Sequence, residues 1–186
     1  MEAQDLGNDL TTVVLTQDQL TTRIAEIASE IDQDYGDLDR PLVLIGVLKG
    51  AVMVMADLAR AISIPIHMDW MAVSSYGSGT ASSGVVRILK DLDMDLKDRH
   101  VLIVEDILDT GLTLSWLIKN LKSRGTASVH VMTMMRKPDA VKVPVDARYI
   151  GYDIPNEFVV GFGLDYAELY RNLREVAILA PHVYQA

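Results

Sequence analysis

The run Glu105-Asp106-Ile107-Leu108-Asp109-Thr110-Gly111-Leu112-Thr113 concentrates more chemistry than any other stretch of this 186-residue chain. Glu105, Asp106 and Asp109 could accept hydrogen bonds from ribose-type hydroxyls, hold the divalent metal that accompanies a pyrophosphate, or take up a proton. Thr110 to Thr113 supply two hydroxyls and a glycine where a helix is expected to open, and backbone N–H groups at a helix start cradle anions. Gly111 lets the chain approach such a ligand closely. Immediately upstream, Val101-Leu102-Ile103-Val104 reads as a strand covered on both faces. Ligands of open parallel sheets bind at the carboxyl ends of such strands. A solvated acidic turn capped by threonine is the blander reading, and three acids beside a buried strand weigh against it. Neither the Walker loop nor the dinucleotide glycine fingerprint occurs in the chain.

The elements that must position these groups follow from hydrophobic periodicity. Thr16 and Gln19 form a capping box for a helix whose Leu20, Ile24, Ile27 and Ile31 share one face, with Gly36 and Pro41 bracketing its end. No clear pattern marks the first fifteen residues. Leu42 to Leu48 is a continuous apolar run, the mark of a strand buried on both faces. The stretch from Ala51 to Ile62 is a helix apolar around most of its girth, as in a deeply buried element or a subunit contact. Ile66 to Tyr76 and Val85 to Leu89 read as strands joined by the small-residue loop Gly77 to Gly84, which predicts an antiparallel flap interrupting the alternation. A helix carrying Leu114, Leu117, Ile118 and Leu121 closes at Gly125, a strand covers Ser128 to Met135, and another begins at Tyr149. Alternating strands and helices predict an α/β domain with a mostly parallel core sheet flanked by helices.

Five segments in order carry a resemblance to a known family: Leu48-Lys49-Gly50, Ser75-Tyr76, the Glu105–Thr113 run, Arg136-Lys137-Pro138, and Phe158-Val159-Val160-Gly161-Phe162-Gly163-Leu164-Asp165-Tyr166. Over roughly residues 15 to 180 the chain resembles the bacterial hypoxanthine-guanine branch of the type I phosphoribosyltransferases. The resemblance implies one domain over residues 1–186, with a flexible flap and a C-terminal hood built mainly from about 137–186. It implies transfer of a 5-phosphoribosyl group from phosphoribosyl pyrophosphate to N9 of hypoxanthine or guanine, with Mg2+ as cofactor. On that likeness Glu105 and Asp106 would bind ribose hydroxyls, Asp109 would accept the proton from N7, and Thr110, Gly111, Leu112 and Thr113 would hold the 5′-phosphate. Lys49, Gly50 and Arg171 would contact pyrophosphate, across a Leu48–Lys49 peptide that is often cis in the family. Ser75 and Tyr76 would belong to a lid. Lys137 would donate to the 6-oxygen of the purine, Phe158 would stack on it, and Val159 and Asp165 would lie beside it. Glu105, Asp106 and Asp165 would serve the metal.

Two departures stand out. Pro138-Asp139-Ala140-Val141 replaces a segment where some relatives carry a further arginine, and Leu112 stands where some carry a lysine. The net charge of −9 argues against a general nucleic-acid binder, although it leaves room for a phosphorylated small molecule held by local cations. A relative preferring xanthine is the nearest alternative. An RNA-binding regulator of the same fold is a more distant one, disfavoured by the acidic balance and the presence of Asp109. No cysteine is present, no run of about 18 uncharged apolar residues spans a membrane, and the acidic N-terminus does not read as a signal peptide, so a cytoplasmic location is expected. His67, His100, His130 and His182 have no ligand spacing, Asp91 to Asp98 reads as a wet turn, and Met132 to Met135 reads as core or interface. The apolar helix and this strand predict a homodimer or homotetramer.

Overall fold

The computed structural model describes residues 1–75 and 86–185. Tyr76 and the loop expected from Gly77 to Gly84 lie outside the described residues.

Among the described residues there are nine strands, in two sheets, and four α-helices. The larger sheet contains β2 (Leu42–Leu48), β3 (Ile66–Ser75), β4 (Val86–Lys90), β5 (His100–Leu108), β6 (Ser128–Arg136) and β7 (Tyr149–Asp153), in the order β4-β3-β2-β5-β6-β7. All neighbours are parallel except β3 and β4. Here the structure corrects the expected flap boundary. Ile66 onward does not leave the core alternation, because β3 pairs in parallel with β2 from Ile66 to Ala72 and only β4 runs antiparallel. The half-exposed alternation of β3 resembles that of a hairpin arm, and only the pairing partner distinguishes the two.

Strand residues alternate between two hydrophobic layers. Leu42, Leu44, Leu102, Val104, Met132 and Met134 pack toward α1 (Gln17–Tyr35) and α2 (Val52–Ala61). Val43, Ile45, Val101, Ile103, Val129 and Val131 pack toward α3 (Leu112–Lys122). Covering both faces is what makes these strands continuous apolar runs. Thr16 caps α1 as expected, its hydroxyl accepting the Gln19 N–H at 3.3 Å while the Gln19 side chain accepts the Thr16 N–H at 2.9 Å. The apolar girth of α2 resolves into Val54, Met55 and Leu58 fully buried in the domain, and the Met-rich strand is core.

The smaller sheet, ordered β1-β9-β8, joins β1 (Leu10–Leu15), β9 (Val176–Leu179) and β8 (Val159–Val160) in antiparallel fashion. Strand β1 thus comes from the stretch without a readable pattern. It is an edge strand with two register shifts and mostly exposed side chains, so no period-two signal forms. Among the described residues no helix is long and apolar enough to cross a membrane.

The turn expected to be wet has a buried anchor. Asp69 on β3 is 7% exposed and accepts N–H bonds from Asp93 at 2.9 Å and Met94 at 3.3 Å, with Lys90 Nζ 3.7 Å away. Removing that carboxylate leaves the half-buried N–H groups of Asp93 and Met94 without their partner. Asp69→Ala should therefore lower the unfolding free energy by about 1–3 kcal/mol in urea titrations. A loss below about 0.5 kcal/mol would show that the anchor is dispensable.

Candidate active site

The strand order reverses beside β2: the chain moves outward to β3 and β4, then returns to place β5 on the other side of β2. The carboxyl ends of β2 and β5 therefore flank a crevice of the kind that binds ligands in open parallel sheets. Pairing between β2 and β5 runs from Val43/Val101 to Gly46/Val104, whereas β5 stays paired to β6 as far as Leu108/Arg136. Residues Glu105 to Leu108 lie beyond the β2 pairing, and the loop after β2 fills the space. The Leu48–Lys49 peptide there is cis. A side chain at Gly50 would collide with the Asp106 carboxylate, and one at Gly163 would collide with the Gly50 carbonyl. The absence of a Cβ lets Gly50 seat against the Asp106 side chain and lets the turn at Gly163 seat against the Gly50 backbone.

A cavity of about 360 Å³ opens at this point. Its lining includes Lys49, Gly50 and Arg171, the acids Asp106, Asp109 and Asp165, and Lys137, Phe158 and Val159. Every one of these was singled out in the sequence. Ile107 and Leu164 also line it and were missed. Ile107 sits among acids, so attention to polar groups passed over an apolar wall residue. A second cavity of about 130 Å³ is lined by Glu105, Thr110, Gly111 and Thr113, and shares Ile107 and Asp109 with the first. Glu105 thus lines the second cavity and Asp106 the first, with Ile107 bordering both.

The phosphate-type loop is built as a helix start. Gly111 has φ +79° and precedes α3, whose first-turn N–H groups point back toward Asp109 and Thr110. The Thr110 carbonyl accepts N–H bonds from Lys142 and Val143, both 3.0 Å, which brace the loop from outside. Leu112 is the first residue of α3; its side chain is half-buried and its N–H donates to the Thr110 hydroxyl at 3.5 Å. Ser75 closes β3 with its backbone paired to Val86, and Tyr76 lies outside the described residues.

Charge is arranged unevenly. Burial drives the Glu105 carboxyl well above the ordinary range, with the neighbouring Asp106 charge adding to it. Burial likewise pushes Asp106 up to about 6, partly offset by the N–H bond it accepts from Ile107 at 2.8 Å. Arg171 draws Asp106 back down to a smaller extent, and the nearby Asp165 charge opposes it. Among the described residues no cluster of three or more His, Asp or Glu side chains forms a protein-only metal site. The donors present suit a hard cation that keeps most of its ligands from water or substrate oxygens. Lys49 pairs with Glu168 at 2.9 Å, and Arg171 pairs with Asp165 at 2.8 Å while donating to the Gly163 carbonyl at 2.9 Å. Arg171 is carried by a series of tight turns rather than by a helix. Lys137 is 9% exposed, its N–H is held by the Leu108 carbonyl at 3.0 Å, and it takes part in none of the ion pairs among the described residues.

The geometry has close counterparts. The profile of the phosphoribosyl transferase domain matches residues 14–167. The hypoxanthine-guanine phosphoribosyltransferase of Mycobacterium tuberculosis is 57% identical over 181 residues, covering 95% of this chain and 90% of that protein. A crystal structure of a Staphylococcus aureus hypoxanthine phosphoribosyltransferase superposes with a TM-score of 0.93 at 43% identity, covering 99% of both chains. The hypoxanthine phosphoribosyltransferase of Trypanosoma cruzi, solved in complex with the product IMP, gives a TM-score of 0.88 at 42% identity, covering 95% of this chain and 97% of that one. With a crevice at the strand reversal, an acidic run ending in an anion cradle and these likenesses over nearly its whole length, this chain belongs to the phosphoribosyltransferase family, on its hypoxanthine-guanine branch.

Proposed function

We propose that the chain is a purine salvage enzyme that transfers the 5-phosphoribosyl group from phosphoribosyl pyrophosphate to N9 of hypoxanthine or guanine, releasing IMP or GMP and pyrophosphate. One observation carries this reading: a single cavity of about 360 Å³ holds a stacking ring and a buried lysine, carboxylates, and two cations. These are the groups that a base, a ribose and a pyrophosphate each require.

Phe158 offers its ring to the purine, with Val159 and Ile107 as further apolar wall. Lys137, buried without an anionic partner, donates to the 6-oxygen. A donor at that place accepts a 6-oxopurine and rejects the 6-amino group of adenine. Glu105 and Asp106 bind the ribose hydroxyls, and the 5′-phosphate sits on the α3 N-terminus with the Thr110 and Thr113 hydroxyls. Lys49, Gly50 and Arg171 hold the pyrophosphate, with Lys49 exchanging its exposed Glu168 partner for phosphate oxygens. Ser75 and Tyr76, the latter outside the described residues, keep the lid role that the family resemblance implies, excluding water from a cationic ribosyl carbon. In the reaction N9 bonds to C1 of the ribose as the C1–oxygen bond breaks, and pyrophosphate leaves with that electron pair. The proton released at N7 passes to the Asp109 carboxylate. Mg2+ would be held by Asp165, Glu105 and Asp106 with substrate oxygens, and would supply charge neutralisation of the leaving pyrophosphate. The protein works in the cytoplasm as one domain per chain, assembled as a homodimer or homotetramer through the accessible apolar residues of α2 such as Val52, Met53 and Ala56.

A spectrophotometric assay with hypoxanthine, guanine and xanthine in parallel tests the whole reading; no turnover with any of them overturns it. Asp109→Asn removes charge and basicity while keeping shape. Its single-turnover rate with saturating substrates should fall by roughly 10²–10⁴ with the fold intact. A rate within about threefold of the parent removes Asp109 from proton transfer. Lys137→Ala should raise KM for hypoxanthine roughly 10- to 100-fold, the range of a lost charged hydrogen bond, and leave KM for phosphoribosyl pyrophosphate within about twofold. Equal changes in both would place Lys137 outside the base site. Light scattering at micromolar concentration should give twice or four times the monomer mass, and a monomer would refute the assembly.

A further inference from the structure

Phe158 is 39% exposed, an unusual position for a ring that has to hold a fixed plane. Three aromatic rings explain how that plane is kept. Tyr184 stacks on Phe158 with centroids 5.1 Å apart and planes 25° apart. Tyr166 meets Phe158 edge-on at 5.9 Å and 88°, and also meets Tyr184 at 6.4 Å and 65°. Both geometries are the favoured aromatic arrangements. Phe158 lines the main cavity, whereas Tyr184 and Tyr166 do not. A phenyl ring has two faces, so a Tyr184 stacked on one of them leaves the other open.

The backbone brings Tyr184 there by a fixed route. Leu179 N–H donates to the Phe158 carbonyl at 2.9 Å, and Ala180 N–H donates to the Asp9 carbonyl at 2.7 Å. Pro181 then starts the helical turn α4 (Pro181–Tyr184), closed by Val183 N–H to the Ala180 carbonyl at 3.0 Å and Gln185 N–H to the Pro181 carbonyl at 2.9 Å. The strand that hydrogen-bonds the Phe158 backbone therefore also delivers the ring that backs its side chain.

We propose that Tyr184 is a positioning residue for the purine, holding Phe158 as the middle layer of a purine–Phe158–Tyr184 stack, with Tyr166 bracing its edge. The proposal rests on the reading of Phe158 as the base-stacking ring. Unbacked, that ring rocks about its own torsions and must be ordered each time a base binds; backed, it is ordered in advance and the base binds more tightly.

The test is steady-state kinetics of the full-length chain for Tyr184→Ala, Tyr184→Leu, Tyr184→Phe and Phe158→Ala. Tyr184→Leu fills the space without a flat aromatic face, so it remains informative if the alanine variant folds poorly. Tyr184→Ala and Tyr184→Leu should raise KM for hypoxanthine roughly three- to tenfold, the range of one aromatic pair. Meanwhile kcat and KM for phosphoribosyl pyrophosphate should stay within about twofold. Tyr184→Phe should match the parent, and adding Tyr184→Ala to Phe158→Ala should change nothing further, because the two act through one ring. A normal or lowered hypoxanthine KM in Tyr184→Leu overturns the positioning role. If that occurs while Phe158→Ala alone raises this KM, the base-stacking reading stands and only the role of Tyr184 falls. An unchanged KM in Phe158→Ala overturns both.

Discussion

The cavity depends on the central strand outrunning its neighbour. Strand β5 remains in the sheet through Leu108 on the β6 side, but β2 stops pairing with it at Gly46/Val104. The four residues that project beyond include both buried acids, and the chain leaving β2 must pass within van der Waals distance of Asp106 to form the opposite wall. Glycine at 50 and 163 makes that approach possible, since a Cβ at either position meets a neighbouring oxygen at a separation no side chain tolerates. The cradle for anions, the carboxylates and the cations are consequences of where these strand ends lie.

Electrostatics then explains why an acidic chain can host a polyanion. Net charge is −9, yet the wall of the cavity presents Lys49, Arg171 and Lys137. The Lys49–Glu168 pair is exposed at both partners, 64% in each case. Exposed pairs of this kind contribute about 0–1 kcal/mol, so exchanging the carboxylate for a phosphate oxygen costs little. Arg171 is different: it is mostly buried, tied to Asp165 and to the Gly163 carbonyl, and so preset in position. At the opposite extreme, Glu105 and Asp106 are crowded together in a desolvated place that raises both. Hydroxyl donors or a divalent cation would relieve that cost, which ties the acids to ligand binding rather than to stability.

Much of this was legible in the residues because it depends on local pattern. The buried strands at Leu42–Leu48 and His100 onward, the Thr16/Gln19 cap and the helix opening at Thr110–Thr113 all produce short-range signals: continuous apolar runs, a reciprocal capping pair, a glycine before a helix. Fold class follows from alternating such elements, and the acidic run at a strand end points to the site. Burial of Met132, Met134 and Met135 settles a choice between core and interface that composition leaves open.

Other features have no local signature. Strand β1 carries no alternation because an irregular edge strand buries little, and only pairing with β9, more than 160 residues away, makes it a strand. Whether β3 belongs to the core or to a hairpin depends on its neighbour rather than on its own residues. That Glu105 and Asp106 serve different cavities, that Ile107 forms a wall, and that Tyr184 backs Phe158 are facts of three-dimensional adjacency. The amino-acid sequence by itself determines the buried core strands, the helices that cover them, and which residues are chemically fit to bind or to transfer a proton, since hydrophobic period and side-chain type act over a few residues. Only the tertiary structure decides which of those groups share a cavity, because that depends on strand order and on how closely two backbones can approach.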